Sequence, residues 1–304
     1  MNFMNKAIIT GATGMIGVAL INLLLKEDYE IIAIVRPNSK KLKNIPKNDK
    51  ISIIECDLSN LKLLFGKFTG CDLFFHFGWI GTTGNSRDNA YLQLKNIEYT
   101  LDAVHLAKNS GCHTFVGAGS QAEYGLTDEK LSPSTPTNPI TGYGIAKYSA
   151  GKLSKLLAAQ LGLKYCWGRV LSVYGPGDNN SLIMSCINSI LNNEEFNTTK
   201  GDQIWDYLYC DDCAQAFYKI AKKGQNGSIY TIGSGNAMPL KNYIEIIRDI
   251  INPNFEIGFG RLEYNQNQVM FLHAEIMDLI KDTGFEPKIT FNEGIKKILA
   301  QMKN

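Results

Sequence analysis

Tyr143 and Lys147, in the run Tyr143-Gly144-Ile145-Ala146-Lys147, are the residues of this chain whose joint chemistry is easiest to name. Four residues apart on a helix, their side chains leave the same face one turn apart. A phenol is a poor acid–base group at neutral pH, because its free pKa is about 10, and an ammonium beside it favours the phenolate. Moving the midpoint from ~10 to ~7 takes about 4 kcal/mol of differential stabilisation. A cofactor cation would add to that field. Taken alone, the spacing reads as a solvated helix face, so a catalytic meaning depends on what surrounds it.

A hydroxyl stands at a strand end further up the chain. His113 to Gly119 reads as a strand that delivers Ser120-Gln121-Ala122-Glu123-Tyr124-Gly125 at its carboxyl end, the edge where open α/β sheets bind ligands. Near the start, Lys6 to Thr10 reads as a short apolar strand. Gly11-Ala12-Thr13-Gly14-Met15-Ile16-Gly17 comes next, then an apolar helix through Leu25 and a second strand from Glu30 to Val35. This β-α-β unit suits a pyrophosphate: the glycines admit close backbone approach, and the helix start offers free N–H groups and a positive dipole end. The second strand ends at Arg36-Pro37-Asn38-Ser39. An NAD-selective fold places Asp or Glu there, whereas an arginine pairs with a 2′-phosphate. The expectation is therefore NADP, with NAD as the alternative.

The remaining elements come in order. Ile51 to Cys56 is a third strand ending at Asp57-Leu58, and Asp72 to Phe77 a fourth ending at Gly78-Trp79. Asp57 either caps the next helix or accepts from an adenine amino group. A long helix spans Asp88 to Lys108, and a proline-rich loop, Pro133 to Pro139, leads into the Tyr143 helix. Lys164 to Leu171 is the sixth strand, ending at Ser172-Val173-Tyr174-Gly175-Pro176-Gly177. Beyond Pro176 the β-α alternation loosens into a helix near Ser181 to Leu191, a segment Trp205 to Tyr209, a helix from Asp211 to Lys222 and a strand near Ile229 to Ile232. The fold class is α/β: a doubly wound Rossmann-type parallel sheet with a smaller C-terminal substrate-binding α/β part. The dinucleotide-binding domain is assigned to 1–173 and the substrate-binding part to 174–304.

Composition excludes several classes. The 304 residues carry a net charge of +2 with no block of like charge, which disfavours nucleic acid or a membrane surface as partner. No apolar run reaches the roughly 18 to 20 residues of a membrane span. The N-terminus runs directly into a strand without signal-peptide architecture. Seven scattered cysteines read as reduced thiols of a cytoplasmic protein. Cys210-Asp211-Asp212-Cys213 is half a zinc spacing without a second pair, so no metal is expected. His76, at the end of an apolar strand, reads as a packed histidine, and His105, His113 and His273 lack metal-ligand company. Trp79 either lines a cofactor edge or fills the core. Glu123 reads as part of a surface turn.

Together these motifs resemble the extended short-chain dehydrogenase/reductase family, the NAD-dependent epimerases, dehydratases and reductases of sugar nucleotides. The resemblance spans nearly the whole chain. It rests on Thr10 to Gly17, Asp57-Leu58, His76-Phe77-Gly78, Asn96, Ser120 with Tyr124-Gly125, Tyr143 with Lys147, Arg169 to Gly177 and Asp206 to Asp212. It implies that Ser120 hydrogen-bonds the reacting sugar oxygen, that Tyr143 moves the proton, and that Lys147 holds the nicotinamide ribose while acidifying Tyr143. It also implies that Gly11, Thr13, Gly14, Met15, Ile16 and Gly17 cradle the pyrophosphate, that Asp57 and Leu58 serve the cofactor, and that Phe77 and Gly78 lie against it. A homodimer through the 88–108 and 143–161 helices is implied by the same likeness.

Departures from the family pattern narrow the activity. Dehydratases acting across C4–C6 carry Asp-Glu immediately after the catalytic hydroxyl. Here Gln121 and Ala122 can neither protonate a leaving hydroxyl nor abstract a C5 proton. Trp205 replaces an arginine that in many members holds the substrate pyrophosphate, Ser172 replaces an asparagine, and Arg261 is a candidate substitute phosphate ligand. The leading expectation is an NADP(H)-dependent reductase of a 4-keto sugar nucleotide. The alternative is an NAD-dependent sugar-nucleotide 4-epimerase, and a non-catalytic dinucleotide-binding module is the third reading.

Overall fold

The protein is described from a computed structural model covering residues 5–178, 181–265 and 268–302. The N-terminal segment 1–4 falls outside the described residues. The first part of the chain alternates β1 (Lys6–Thr10), α1 (Met15–Lys26), β2 (Glu30–Val35), β3 (Ile51–Glu55), β4 (Leu73–His76), α2 (Ala90–Asn109), β5 (Thr114–Ser120), α3 (Gly142–Gln160) and β6 (Lys164–Val170). After these come β7 (Ser172–Tyr174), α4 (Leu182–Asn192), β8 (Phe196–Asn197), β9 (Ile204–Tyr209), α5 (Cys210–Lys223) and β10 (Ser228–Ile232). The chain continues with β11 (Ala237–Pro239), α6 (Leu240–Ile251), β12 (Ile257–Gly258), α7 (Met277–Thr283) and α8 (Phe291–Met302).

Seven strands form one sheet in the order β10-β6-β5-β4-β1-β2-β3, every pair parallel. Strand order reverses between β1 and β4, which opens a crevice at their carboxyl ends. A parallel sheet is covered on both faces, so its strands are apolar on both sides. Ile9, Phe75, Val116 and Cys166 face the layer that includes α1 and α5, whereas Ile8, Phe74, Phe115 and Trp167 face the layer containing α2 and α3. The seventh strand comes from late in the chain. After β9, α5 returns to the sheet and β10 pairs with β6, so the sheet takes a strand from beyond residue 174.

The rest of the later chain builds a three-stranded sheet, β11-β9-β7, and a two-stranded pair, β12-β8. Asp206 on β9 ties this part together. Its fully buried carboxylate accepts from the backbone N–H groups of Ser234 (2.8 Å), Gly235 (3.0 Å) and Ala274 (3.1 Å).

The long helix expected from Asp88 starts at Ala90, because Asn89 takes the capping role by accepting from the Leu92 N–H. Asp88 is engaged elsewhere: its carboxylate accepts from the Gly142 N–H at 2.8 Å and so pins this loop to the start of α3. On the outer face of the α2–α3 pair, Tyr91, Leu94, Leu153 and Leu156 stay exposed.

Candidate active site

The glycine turn between β1 and α1 is built for close approach. Gly11 adopts φ +70°, and a Cβ there would lie 2.7 Å from the backbone of Phe77 and Gly78. Only glycine combines that backbone conformation with that clearance. A Cβ on Gly17 would sit 2.5 Å from the Gly11 carbonyl oxygen. Helix α1 follows Gly14 at its N-cap position, with no side-chain cap and no acidic residue in its first turn. Its leading N–H groups and positive dipole end therefore face the crevice without a competing carboxylate, which fits a dinucleotide pyrophosphate. Gly17→Ala should weaken dinucleotide binding at least ~10-fold and destabilise the fold by about 1–3 kcal/mol through overpacking. Fluorescence titration with the reduced cofactor and thermal unfolding would check both.

The other residues expected to hold the cofactor gather unevenly around this turn. Gly78 lies over Leu58 and donates its N–H to Thr10 Oγ1 at 3.2 Å. Asp57 caps the short 3₁₀ helix Leu58–Leu64 by accepting from the Ser59 N–H. Arg36 is exposed at the end of β2. The Phe77 ring packs on Phe217 of α5, with centroids 4.7 Å apart.

His76 is the packed histidine the sequence implied. Its Nδ1 lies 2.8 Å from Thr10 Oγ1 and its Nε2 3.3 Å from Thr100 Oγ1. Burial, and secondarily the Lys147 charge, push its pKa down to about 3 and keep the ring neutral.

Ser120, Tyr143 and Lys147 converge across the crevice from that turn. Ser120 Oγ accepts from the Ala122 N–H at 3.2 Å, which leaves the hydroxyl proton free to be donated. Tyr143 lies in the first turn of α3, which Thr141 caps. Its phenol sits above the ordinary tyrosine range because it is buried. The Ser120 hydroxyl and the Arg87 charge draw it back down, and Glu123 adds to the rise.

Lys147 lies between the strand end and two aromatic rings. Its Nζ donates to the Ala118 carbonyl at 2.7 Å and sits 3.8 Å over the Trp79 ring, but 5.8 Å from the Tyr143 ring. Burial lowers its own pKa to about 7.

Several site residues were missed or misread in the sequence. Glu123 belongs to no surface turn; it is 1% exposed. One carboxylate oxygen accepts from the Ser120 N–H and from Trp167 Nε1, both at 2.9 Å, and the other pairs with Arg169 Nε at 2.8 Å. The signal was the alternation of Trp167 and Arg169 on one strand, legible only once β6 is known to lie beside β5. Trp79 lines the site: its ring carries the Lys147 ammonium, meets Tyr143 edge-on, and is held by an N–H bond to Gln93 at 2.9 Å. Arg87 stacks on Tyr143 with no local sequence cue. Trp205 donates to Ser172 Oγ at 2.8 Å, so two departures from the family pattern are partners. Arg261 pairs with Glu195 on an exposed loop. Among the described residues no cluster of His, Cys, Asp or Glu is arranged to hold a metal, and no helix is long and apolar enough to cross a membrane.

A seven-stranded parallel sheet, a glycine cradle at its switch point and a Ser–Tyr–Lys site across the crevice define an extended short-chain dehydrogenase/reductase. The model of the NAD dependent epimerase/dehydratase family matches residues 7–233, and the chain belongs to that family. It is thereby an NAD(P)-dependent enzyme. Among its relatives is CDP-abequose synthase of Salmonella typhimurium, 24% identical over 99% of this chain and 100% of that protein. Another is a putative UDP-glucose 4-epimerase of Methanocaldococcus jannaschii, 26% identical over 98% of each. The fold matches a UDP-glucose 4-epimerase of Thermotoga maritima, solved with UDP-glucose, at a TM-score of 0.87, 22% identity and 98% coverage of both chains.

Proposed function

We propose that this protein is an NADPH-dependent reductase of a 4-keto sugar linked to a nucleoside diphosphate. The reading is carried by the two residues immediately after Ser120. Gln121 and Ala122 offer no acid or base, and the nearby carboxylate, Glu123, is committed to three donors. With one hydroxyl–phenol pair and no free carboxylate beside it, the site can manage a single proton at the sugar oxygen, which suits a carbonyl–alcohol interconversion and not loss of water. Names of the relatives, a CDP-linked and a UDP-linked sugar among them, support the substrate class.

The bound dinucleotide supplies the hydride. Ser120 orients the carbonyl oxygen with its free hydroxyl proton. Tyr143, which burial keeps protonated at neutral pH, donates to that oxygen as it becomes an alcohol. Lys147 would hold the ribose, exchanging its bond to the Ala118 carbonyl. The deciding assay incubates the purified enzyme with NADPH and 4-keto sugar nucleotides. Alcohol product with oxidised cofactor supports the reductase. Interconversion of C4 epimers with no added cofactor would instead establish the 4-epimerase, the second reading, which the epimerase relatives favour.

Arg36 motivates the choice of NADPH, since a guanidinium at the end of β2 can pair with a 2′-phosphate. Arg36→Ala should raise the KM for NADPH about 10-fold or more, a charged hydrogen bond contributing about 1.5–3 kcal/mol, and leave that for NADH nearly unchanged. Steady-state kinetics with both cofactors would test it.

The enzyme acts as a homodimer through α2 and α3. Their outer face carries an open groove of about 630 Å³ lined by Phe65, Leu101, His105, Leu153, Leu156 and Leu157. Two copies would cover the apolar rim. Leu94→Asp with Leu156→Asp should halve the mass found by light scattering; an unchanged mass would remove this face from consideration.

A further inference from the structure

We propose that Trp79 is a positioning residue for the active-site lysine: the face of its indole, clamped by α2, keeps the Lys147 ammonium in place and charged beside Tyr143. The proposal rests on Tyr143 and Lys147 serving the reaction read above, and on no particular sugar.

A buried ammonium needs partners, and this one has few. Lys147 is 4% exposed, and among the described residues its three N–H donors find one acceptor, the Ala118 carbonyl at 2.7 Å. No Asp or Glu among those residues pairs with it. The Trp79 ring fills the gap, with Nζ 3.8 Å from its centroid. The Tyr143 and Trp167 rings stand further off, at 5.8 and 6.0 Å. Indole is the strongest aromatic partner for a cation, and the attraction grows once water is excluded.

The ring is fixed from behind. Its Nε1 donates to Gln93 Oε1 at 2.9 Å, and Gln93 is 1% exposed on α2. The Gln93 amide in turn donates to the carbonyls of Gly81 (2.7 Å) and Ser86 (3.0 Å). One turn further along α2, Asn96 brackets the next residue of the loop. Its Oδ1 accepts from the Ile80 N–H at 2.9 Å and its Nδ2 donates to the Ile80 carbonyl at 2.8 Å. The indole also meets the Tyr143 ring at 81°, with centroids 5.9 Å apart. One clamped side chain therefore touches both members of the Tyr143–Lys147 pair.

The charged and titratable groups around Lys147 do not replace the ring. His76 of β4 is neutral. Glu123 favours the ammonium, but its carboxylate is engaged by the Ser120 N–H, Trp167 Nε1 and Arg169. Arg87, on the Tyr143 ring, is a like charge. Burial already pulls Lys147 down to about 7, so its charge at neutral pH is sensitive to the loss of any partner.

The test titrates Lys147 by NMR in the full-length, cofactor-free protein labelled with [ε-¹³C]lysine, the signal being assigned by its loss in Lys147→Arg. In the wild type the Lys147 ε protons should lie upfield of those of the other lysines, shifted by the indole ring current. Trp79→Leu should abolish that shift and lower the midpoint by about one unit, the scale of a desolvated cation over an aromatic face. A second protein carries 5,6,7-trifluorotryptophan at position 79, which keeps the ring and its N–H but drains charge from the face. There the upfield shift should persist while the midpoint falls by a comparable amount, and this protein serves if Trp79→Leu folds poorly. A wild-type signal with no upfield shift, or a midpoint unmoved by the fluorinated ring, would overturn the proposal; packing alone would then explain any effect of leucine. Because the readout needs no substrate, it separates the two claims. A midpoint that falls as expected in an enzyme that reduces no 4-keto sugar nucleotide would leave Trp79 in its role and remove the reductase reading. Turnover with an unmoved midpoint would do the reverse.

Discussion

Tyr143→Phe should lower turnover by about 10²–10⁴-fold, the usual contribution of a positioned general acid, with dinucleotide affinity nearly unchanged. The change deletes one oxygen. Phenylalanine keeps the ring that Arg87 covers at 4.4 Å and that Trp79 meets edge-on, so the pocket retains its shape. What disappears is the proton donor beside Ser120. The pH profile gives a second check. Burial holds the phenol above its ordinary range, so the acid form that a reduction needs is present throughout the neutral region. The wild-type rate should therefore fall only on the alkaline side, as the phenol ionises, and the residual rate of Tyr143→Phe should lack that limb. A variant with more than a tenth of wild-type turnover would show that the proton travels by another route.

Glu123→Ala should have the largest effect on stability, about 3–5 kcal/mol, because it strands a buried charge. Arg169 is 2% exposed and its Nε has Glu123 as its ionic partner at 2.8 Å; its Nη1 already lacks a partner. Alanine would also leave Trp167 Nε1 and the Ser120 N–H without an acceptor. With total stabilities of about 5–15 kcal/mol, that is a large share of what keeps a domain folded. A glutamine in place of Glu123 would retain the oxygen facing Ser120 and Trp167 but would turn an amide N–H₂ toward Arg169, so Glu123→Gln should fall between. Removing both charges with Glu123→Val and Arg169→Met should recover much of the loss, since apolar groups of similar volume can replace a buried pair. Urea unfolding of the four proteins measures this directly. If Glu123→Ala cost under ~1 kcal/mol, no more than an exposed ion pair contributes, the carboxylate would not be the anchor described. Turnover should fall with Glu123→Ala as well, because the same carboxylate fixes the strand end that presents Ser120.

Much of this molecule could be read from its residues in order. The strand β1, the glycine turn and α1 were legible because each is a local pattern: an apolar run, a turn that only glycine can make, and a helix whose first N–H groups stay free. The Tyr143–Lys147 pair was legible because helical spacing alone puts both on one face. Local pattern also offered Asp57 as a cap or an adenine acceptor, and placed His76 as a packed strand residue.

Contacts between distant elements were not legible in that way. Glu123 looked like a turn residue until β6 settled beside β5 and set Trp167 and Arg169 against it, more than forty positions away in the chain. Lys147 was spaced to lie beside Tyr143, but its contacts with the Ala118 carbonyl and the Trp79 face could not be read from that spacing. Arg87 reached Tyr143 only because Asp88 left the start of α2 to hold the Gly142 N–H. The residues themselves determined which elements form and which carry reactive groups, since periodicity, capping and glycine geometry act over a few positions. Only the packed structure decided which charge faces which oxygen, since that depends on strand order and loop docking between segments far apart in sequence, and on how much water their contact excludes.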